Sequence, residues 1–463
     1  MTIWIPELSE NGPRYRALAH AIERAIDDGE LPPGEKLPPQ RRLADALKVT
    51  VGTVTRAYAL VEQSGRVSAQ VGSGTYVHRQ EPGSAFADVM GTSHDGLVDL
   101  GMSLPPPHPE RQTTLGRLMS DISADPTALE RAINYPLDDT MATHCQRYAD
   151  WLGHQGLAVD PDELLITQGG MNGITLALSA LLSPNDRLAA EALSYPGVIS
   201  AARQQSLKMV AVPFDDEGID VAALAVRHER TPFQALYVMP EHHNPTTVQL
   251  SRQRREALVA LARERDFWLI EDGVMHLPDG ARSTPLYQLA PERTIFVFSV
   301  AKILGGGLRS GVMRAPTALL ERLRISLRNQ CWAPPALMAE IAGRWLDSGE
   351  ADRLLSWQFE ELKARQAMVS EALAGFDVHL REGGFYAWLV LPGEHRAARL
   401  VETLEHKGVR VAPAEAFCVG STAAPQAVRI CLSAAPDRAA LAQALTIIVE
   451  ALSQNTPPRW QTV

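Results

Sequence analysis

The chain has 463 residues, of which 45% are hydrophobic and 21% charged, the composition of an ordinary globular protein with more than one domain. No stretch reaches the roughly 18 apolar residues of a membrane-spanning helix, and no N-terminal run resembles a signal peptide. The scattered cysteines include no C-x-x-C pair, which favours buried thiols over a disulfide framework or zinc site and predicts a reducing, cytoplasmic location. These cysteines are Cys145, Cys331, Cys418 and Cys431.

The N-terminal segment, residues 1–78, is predicted to be a small α+β domain of three helices and a hairpin. Apolar residues recur at helical spacing over residues 15–26, and a second helix follows a pair of prolines. Thr50 is an N-cap candidate for a third helix over residues 51–64. The turn Gly72-Ser73-Gly74 then separates two short β-type runs.

Basic residues concentrate in this segment, although the whole chain carries a net charge of −10. Between Lys36 and Arg66, six basic residues stand against two acidic ones, which indicates a local basic patch. DNA recognition uses a short helix that presents polar and basic side chains to the major groove, while neighbouring groups hold phosphates. We therefore expect the third helix to enter the groove and the hairpin over residues 70–76 to touch the minor groove or phosphates. The expected DNA contacts are Arg41, Arg42, Thr53 and Arg56.

Residues 79–97 lack periodicity and contain many turn formers, which predicts a linker. Residues 98–463 alternate short apolar runs with helical patterns, which predicts an α/β domain whose mostly parallel sheet is covered on both faces. Its large part is expected over about 141–315, and a smaller α+β lobe over about 316–463. The predicted strands are Leu164–Thr167, Arg187–Glu191, Met209–Phe214, Ala235–Met239, Phe267–Glu271, Thr294–Phe298 and Gly311–Met313, with Phe385–Leu391 and Ala427–Leu432 in the lobe.

Two residues of the α/β domain have the chemistry to hold an aldehyde cofactor with a pyridine ring. Such a cofactor needs a lysine amine to form a Schiff base and a carboxylate to keep the ring nitrogen protonated. Asp272 ends the apolar run Phe267-Trp-Leu-Ile-Glu-Asp, so its side chain is expected at the sheet edge where α/β proteins build their sites. Lys302 lies thirty residues later, just after the next strand, in SVAKILGGGLRSG. Taken alone, a lysine is usually a solvated surface group and a carboxylate after a strand is usually a helix cap.

A phosphate on the same cofactor would need backbone N–H groups, a hydroxyl and a guanidinium. The strand, glycine turn and helix start at residues 167–172 would offer the N–H groups of Gly170 and Met171. Ser299 and Arg309, three residues before and seven after the lysine, are expected to face the phosphate. The glycine turn alone is weak support, because many helices begin in this way.

Three further residues complete the predicted site. Tyr195 follows a strand end and is expected to stack on the cofactor ring. Asn244, in Asn-Pro-Thr, is expected to hydrogen-bond the ring hydroxyl. Arg429, in AVRICLS, is expected to hold a carboxylate of a substrate or effector through two parallel hydrogen bonds. Each could instead pack or pair internally, so only the ordered set indicates a site.

The run LPPGEKLPPQRRLADALKVTVGTVTRAYALVEQSGRVSAQVGSGTYV closely resembles the winged helix-turn-helix of GntR-type bacterial regulators, with Val51 where many relatives have a DNA-contacting arginine. The chain from about residue 98 onward resembles fold-type-I pyridoxal-phosphate enzymes of the class I/II aminotransferase group. The motifs that carry this second resemblance are Asn244-Pro245-Thr246, Glu271-Asp272, Lys302 with Gly307-Leu308-Arg309, Gly383-Gly384-Phe385, and Arg429.

A GntR-like head joined to such a domain resembles the MocR-type regulators. The resemblance implies pyridoxal 5'-phosphate bound to Lys302 and paired with Asp272. It also implies that a small amine, an amino acid or the cofactor itself is sensed by aldimine formation and controls binding to DNA with paired half-sites. The same resemblance implies a homodimer in which the head of one chain packs across the large domain of the other.

The sequence departs from the enzyme pattern near the cofactor. Relatives usually have a tyrosine two or three residues after the aspartate, where this chain has Val274 and Met275. Ala301 replaces a common serine, Thr247 replaces a glycine, and Gly305-Gly306 replaces Ala-Pro. These changes leave the Schiff base and the ring pairing intact but weaken the proton handling that turnover needs. We therefore expect a sensor and not an efficient catalyst.

Two alternatives remain open from the sequence. Beside the sensor, the sequence permits a working aminotransferase with a vestigial DNA-binding head, or a cofactor-free DNA-binding protein with a degenerate large domain. The first predicts sustained keto-acid turnover without specific DNA binding. The second predicts no visible absorbance and no effect of Lys302→Ala.

Overall fold

The computed structural model has a small N-terminal head, a large α/β domain and an α+β lobe. The described residues are 4–6, 8, 13–27, 30–31, 35–63, 66–70, 74–77, 96–135, 138–393, 395–420 and 422–454. The predicted linker at residues 79–97 lies outside them except for its last two residues. Gly72 and Ser73 of the predicted turn also lie outside them, and Gly74 begins the second strand of the hairpin.

The head consists of three helices and a two-stranded antiparallel hairpin, as predicted. Its elements are α1 (Arg14–Asp27), α2 (Gln40–Leu47), α3 (Val51–Gln63), β1 (Val67–Gln70) and β2 (Gly74–Val77). Helix α3 begins where expected, because Oγ1 of Thr50 accepts a hydrogen bond from the backbone N–H of Thr53 at 3.2 Å. The head has a core of its own, formed by residues such as Leu18, Ile22, Leu43, Val54 and Val61.

The large α/β domain alternates strands and helices. Its elements are β3 (Val98–Asp99), α4 (Pro109–Ser123), α5 (Pro126–Ile133), α6 (Asp138–His154), β4 (Leu164–Thr167), α7 (Gly170–Leu181), β5 (Arg187–Glu191), α8 (Pro196–Gln204), β6 (Lys208–Val212), β7 (Phe214–Asp215), β8 (Gly218–Ile219), α9 (Val221–Arg230), β9 (Ala235–Val238), α10 (Arg252–Arg265), β10 (Trp268–Asp272), α11 (Leu286–Leu289), β11 (Thr294–Ser299) and β12 (Gly311–Arg314).

The central sheet has the strand order β4-β12-β11-β10-β9-β5-β6. Strand β12 runs antiparallel to both neighbours, and the other pairs are parallel. Strands β9 and β11 are buried along their whole length, which is why they contain almost only apolar residues. The predicted mostly parallel, covered sheet is confirmed. Because β9, β10 and β11 end at the same edge, the polar residues that follow them come together there.

The lobe adds a small sheet and long helices. Its elements are α12 (Thr317–Cys331), α13 (Ala336–Asp347), α14 (Glu350–Ala372), β13 (Asp377–His379), β14 (Ala387–Val390), α15 (Ala397–His406), β15 (Val409–Arg410), β16 (Ala412–Pro413), β17 (Ala427–Ile430) and α16 (Arg438–Gln454). Strands β13, β14, β17 and β16 form an antiparallel sheet in that order. Strand β15 pairs with β3, Val409 lying opposite Val98, so the chain just after the predicted linker is anchored in the lobe.

The lobe and the central sheet share one hydrophobic core. Ile174 of α7 and Val297 of β11 belong to the same buried cluster as Leu389 of β14 and Ile430 of β17. This packing fixes the two sheets relative to each other and therefore sets the distance between residues at their edges.

The head lies beside the lobe of its own chain. Arg16 and Leu60 on α1 and α3 line a groove with Arg396 and Gln426 of the lobe. The predicted exchange of heads concerns a second chain and stays a prediction. Among the described residues, no helix has both the length and the apolar composition needed to span a bilayer.

Candidate functional site

Asp272 is held at the end of β10 by two hydrogen bonds. Its Oδ2 accepts from the hydroxyl of Tyr237 at 2.6 Å, and its Oδ1 accepts from the backbone N–H of Val274 at 3.0 Å. The carboxylate is 5% exposed. Burial raises the pKa of Asp272, and the hydrogen bonds from Tyr237 and Val274 oppose that rise. The group is therefore fixed in space and has lone pairs left for a protonated ring nitrogen.

Lys302 ends a short 3-10 helix, residues 300–302, that follows β11 directly. Its Nζ donates a hydrogen bond to the backbone carbonyl of Ser103. Burial lowers the pKa of Lys302 to about 8, with smaller effects from the charges of Arg429 and Asp272. A lysine whose pKa lies near 8 has a useful fraction of free amine near neutral pH, which Schiff-base formation requires.

The predicted phosphate-binding residues surround the start of α7. Gly169, with φ of 77°, precedes the helix, and the N–H groups of its first turn have no partners within the helix. A Cβ atom on Gly170 would lie 2.7 Å from Cγ2 of Val274, so the backbone approaches the end of β10 closely there. The guanidinium of Arg309 donates to the carbonyl of Gln168 at 2.9 Å and lies against Gly169.

Ser299 is buried, and its hydroxyl both donates and accepts a hydrogen bond with backbone groups. Its Oγ donates to the carbonyl of Ser310 at 3.1 Å and accepts from the N–H of Ala301 at 3.2 Å. It lies within reach of the start of α7, because a Cβ on Gly170 would be 3.7 Å from Cβ of Ser299. The hydroxyl would have to rotate away from Ser310 in order to donate to a phosphate.

Tyr195 and Met171 lie side by side. A Cβ on Gly197 would come within 2.3 Å of the Tyr195 ring and 2.7 Å of the sulfur of Met171, so both side chains pack over this glycine. Burial raises the pKa of Tyr195 to about 12, and the charges of Asp272 and Arg429 also act on it. The ring therefore stands close to the predicted site, where an aromatic platform is needed.

Arg429, on β17, is a buried cation held only by neutral groups. One NH2 group donates to Oδ1 of Asn244 at 2.6 Å, and the other donates to the carbonyl of Gly101. Its guanidinium carbon lies 5.3 Å from the ring centre of Tyr386 and 4.8 Å from that of Phe417. Within the described residues, Nε has no hydrogen-bond partner and no carboxylate lies within ion-pair distance of the side chain. A buried, unneutralised cation of this kind is suited to receive a carboxylate.

The described residues fit pyridoxal phosphate. Asp272 can pair with the ring nitrogen, and the half-buried Lys302 can react with the aldehyde. The close approach at Gly170 leaves no room for a side chain beside the helix start that would receive the phosphate. The Nε of Arg429 has no hydrogen-bond partner among the described residues, so this side chain can donate one more hydrogen bond to a ligand.

The structure also identifies residues that the sequence did not single out. Tyr237 reaches Asp272 from the neighbouring strand, and the carbonyls of Gly101 and Ser103 accept from Arg429 and Lys302. Every residue has a backbone carbonyl, so the sequence does not indicate which carbonyls accept these hydrogen bonds. Tyr237 stands seven residues before Asn244, on a buried strand, where a tyrosine hydroxyl must find a partner. This requirement is the signal in the sequence that could have predicted a hydrogen bond from Tyr237.

The predicted DNA-binding residues lie on α2 and α3 of the head. Arg41 and Arg42 are exposed at the start of α2, and Arg56 is exposed on α3. Thr53 is half-buried, with its hydroxyl 2.9 Å from that of Thr50, so it is partly committed to the helix cap. Val51, at the first position of α3, is 42% exposed.

Comparison with known proteins agrees with this architecture. The family model "Aminotransferase class I and II" matches residues 127–448, and "Bacterial regulatory proteins, gntR family" matches residues 14–77. The uncharacterized HTH-type transcriptional regulator YdeF of Bacillus subtilis (strain 168) is 29% identical over 454 residues, 98% of this chain and 97% of its own length. The HTH-type pyridoxine biosynthesis transcriptional regulator PdxR of Corynebacterium glutamicum is 29% identical over 85% of this chain and 86% of its own.

A solved structure supports the fold of the larger part. An archaeal alanine:glyoxylate aminotransferase superposes with a TM-score of 0.72 at 23% identity, covering 81% of this chain and 96% of its own. A DNA-binding head on a fold-type-I aminotransferase domain defines the class of this molecule. The chain belongs to the aminotransferase class I and II family, which is pyridoxal-phosphate-dependent, and its gntR-type head gives it the domain organisation of the MocR-type regulators.

Proposed function

We propose that the protein is a transcriptional regulator that binds operator DNA through its head and senses a small amine carrying a carboxylate in its aminotransferase-like domain. The observation that carries the proposal is Arg429, a buried cation without an anionic partner among the described residues, in a site that also contains Lys302 and Asp272. The names of full-length relatives as transcriptional regulators support the same conclusion.

The residues would divide the work as follows. Pyridoxal phosphate would supply an aldehyde that condenses reversibly with primary amines. Lys302 would hold that cofactor, Asp272 would keep a proton on its ring nitrogen, and Asn244 would donate to its ring hydroxyl through the amide group that Arg429 leaves free. Tyr195 would stack on the ring. The phosphate would be received by the remaining predicted residues, Gly170, Met171, Ser299 and Arg309.

Effector binding has a structural route to the head. A carboxylate that reaches Arg429 competes with the carbonyl of Gly101 for the guanidinium. Gly101 comes two residues after β3, and β3 follows the predicted linker at residues 79–97. A ligand that displaces Gly101 would therefore change the position of the segment that connects the large domain to the linker and the head. Such a ligand shifts the balance between two domain arrangements only by its different affinity for each.

A second copy of the chain would complete the regulator. Apolar side chains are exposed at the end of α5, just beyond it and just after α12. Ile133, the last residue of α5, is 82% exposed, and the ring centres of Tyr135 and Trp332 lie 5.6 Å apart. Contiguous exposed apolar surface favours a protein interface. We propose that these residues form part of a homodimer contact, with heads exchanged between chains, so that two heads read paired half-sites.

The test is a titration of the full-length protein, loaded with pyridoxal phosphate, with α-amino acids, longer amino acids and their decarboxylated analogues. The cofactor's visible absorbance is followed with and without DNA from beside its own coding region. We expect a spectral change with an amine that bears a carboxylate and a matching change in DNA affinity. Lys302→Ala should remove the visible band, and Lys208→Ala, at an exposed position on β6, should retain it.

Two outcomes would overturn the proposal. Loaded wild-type protein without any visible band would exclude cofactor-based sensing. Rapid, sustained keto-acid turnover together with no specific DNA binding would instead identify an aminotransferase with a vestigial head.

A further inference from the structure

The residue positions after Asp272 do not supply a hydroxyl to the site. Met275 is 5% exposed and belongs to the main hydrophobic core. Val274 packs against the start of α7, where its Cγ2 is the atom that a Cβ on Gly170 would meet at 2.7 Å. Both positions are thus used for packing, and neither side chain carries a hydroxyl.

Tyr237 brings a hydroxyl to the same place from the next strand. In the parallel pair β9 and β10, Tyr237 lies beside Ile270. Side chains two residues apart on a strand share a face, so Tyr237 and Asp272 point to the same side of the sheet. The tyrosine is fully buried, and its hydroxyl donates to Oδ2 of Asp272 at 2.6 Å.

The donor is permanent over the ordinary pH range. Burial raises the pKa of Tyr237 well above its usual value, and the charge of Asp272 raises it further. The tyrosine therefore keeps its proton and donates it to the carboxylate whenever Asp272 is ionised. Together with the N–H of Val274 on Oδ1, this hydrogen bond fixes both oxygens of Asp272.

We propose that Tyr237 is a positioning residue for Asp272, holding that carboxylate ionised and aimed at the ring nitrogen of the cofactor. The inference rests on the proposed function, since it assumes that the site takes pyridoxal phosphate. Tyr237 acts through Asp272 and is not expected to touch the effector. Its hydroxyl comes from β9, the strand next to β10, and it contacts the carboxylate directly.

Removing the hydroxyl of Tyr237 should shift the pKa of Asp272 in one definite direction. A hydrogen bond donated to a carboxylate favours its charged form, so Tyr237→Phe should raise the pKa of Asp272. A carboxylate with a higher pKa becomes protonated at a higher pH and then no longer stabilises the protonated ring. As the pH falls, the variant should lose cofactor affinity earlier than the wild type does, by about one pH unit.

The experiment measures the dissociation constant of pyridoxal phosphate by absorbance, from neutral to mildly acidic pH, on full-length protein stripped of cofactor. Tyr237→Phe should weaken binding about tenfold at neutral pH, the effect of one hydrogen bond to a charged group. The matched control is Tyr287→Phe, another buried tyrosine, whose hydroxyl donates to the carbonyl of Ala158 at 3.3 Å outside the site. This control should bind like the wild type.

A double-mutant cycle separates positioning from a general structural effect. In an Asp272→Asn background, Tyr237→Phe should have almost no further effect on cofactor affinity, because the tyrosine acts through the carboxylate. An equal loss in both backgrounds, or a Tyr237→Phe protein that matches Tyr287→Phe in affinity and pH profile, would overturn the inference while leaving the proposed function standing. A wild-type protein that binds no cofactor would instead refute the proposed function.

Discussion

The guanidinium of Arg429 donates to Oδ1 of Asn244 at 2.6 Å, which joins the lobe's sheet to the segment that follows β9 of the large domain. One residue was expected to hold an effector and the other to hold the cofactor ring. Their contact means that the two ligands would be bound next to each other. A carboxylate that binds Arg429 would therefore act directly on Asn244 and so on the ring hydroxyl. No long pathway between the two sites is needed.

Replacing Arg429 should change which amines are sensed. Arg429→Met removes the buried cation, so affinity for amines bearing a carboxylate should fall roughly a hundredfold, the cost of truncating a buried charge pair. Affinity for the decarboxylated amine of the same length should change little. The measurement is the spectral titration, with the exposed Arg399→Met on α15 as the matched control. Equal losses for both kinds of amine would contradict the assigned role.

The rate of cofactor loading should depend on pH through Lys302. The reacting form is the neutral amine, and burial lowers the pKa of this lysine from 10.5 to about 8. Below that pH the lysine is mainly protonated, so the rate should rise with pH and level off just above 8. Rapid-mixing absorbance on stripped protein checks this. A rate that continues to rise through pH values near 10, as for a solvated lysine, would contradict it.

Enlarging Gly170 should disturb the helix start that is proposed to receive the phosphate. In Gly170→Ala the new methyl would lie 2.7 Å from Val274, and such overpacking costs about 1–3 kcal/mol. We expect weaker binding of pyridoxal phosphate and a smaller change for pyridoxal, which lacks the phosphate. Gly116→Ala, on α4 with nothing within 4 Å of the new methyl, is the control. If the two variants bind pyridoxal phosphate equally well, α7 does not hold the phosphate.

DNA binding should depend on the exposed arginine of α3. Arg56→Ala should weaken operator binding about tenfold and reduce the dependence on salt concentration by roughly one phosphate contact. Arg252→Ala, on the exposed surface of α10, is the control, because its side chain pairs with Glu256 far from the head in sequence. Fluorescence anisotropy at several salt concentrations measures both quantities. If DNA affinity depends on salt concentration equally in the two variants, Arg56 does not contact a DNA phosphate.

The proposed dimer contact can be tested with a buried charge. Ile133→Glu should shift the protein towards monomer in sedimentation experiments, because an unpaired carboxylate would have to be desolvated at the contact. Val226→Glu introduces the same charge at another exposed aliphatic position, on α9, that is 48% exposed, and should leave the association state unchanged. A dimer that withstands Ile133→Glu would place the contact elsewhere.

The architecture of the head and the order of the longer strands follow from the amino-acid sequence, because the relevant signals are local. The helical spacing of the head, the cap at Thr50 and the apolar runs of the central strands each predict an element without reference to the rest of the chain. The positions of Asp272 and Lys302 likewise follow from motifs next to strand ends, and that of Arg429 follows from a motif within a predicted strand. The structure differs from the predicted strand ends by only one or two residues.

Tertiary structure alone decided which partners these residues have. Tyr237 meets Asp272 because β9 and β10 are neighbours in register, and Arg429 meets Gly101 because the lobe packs beside the chain that leaves the linker. Contacts of this kind join residues far apart along the chain, some through backbone carbonyls that every residue possesses. Residue spacing in the sequence does not predict these contacts, because they form only when the sheets have formed and packed.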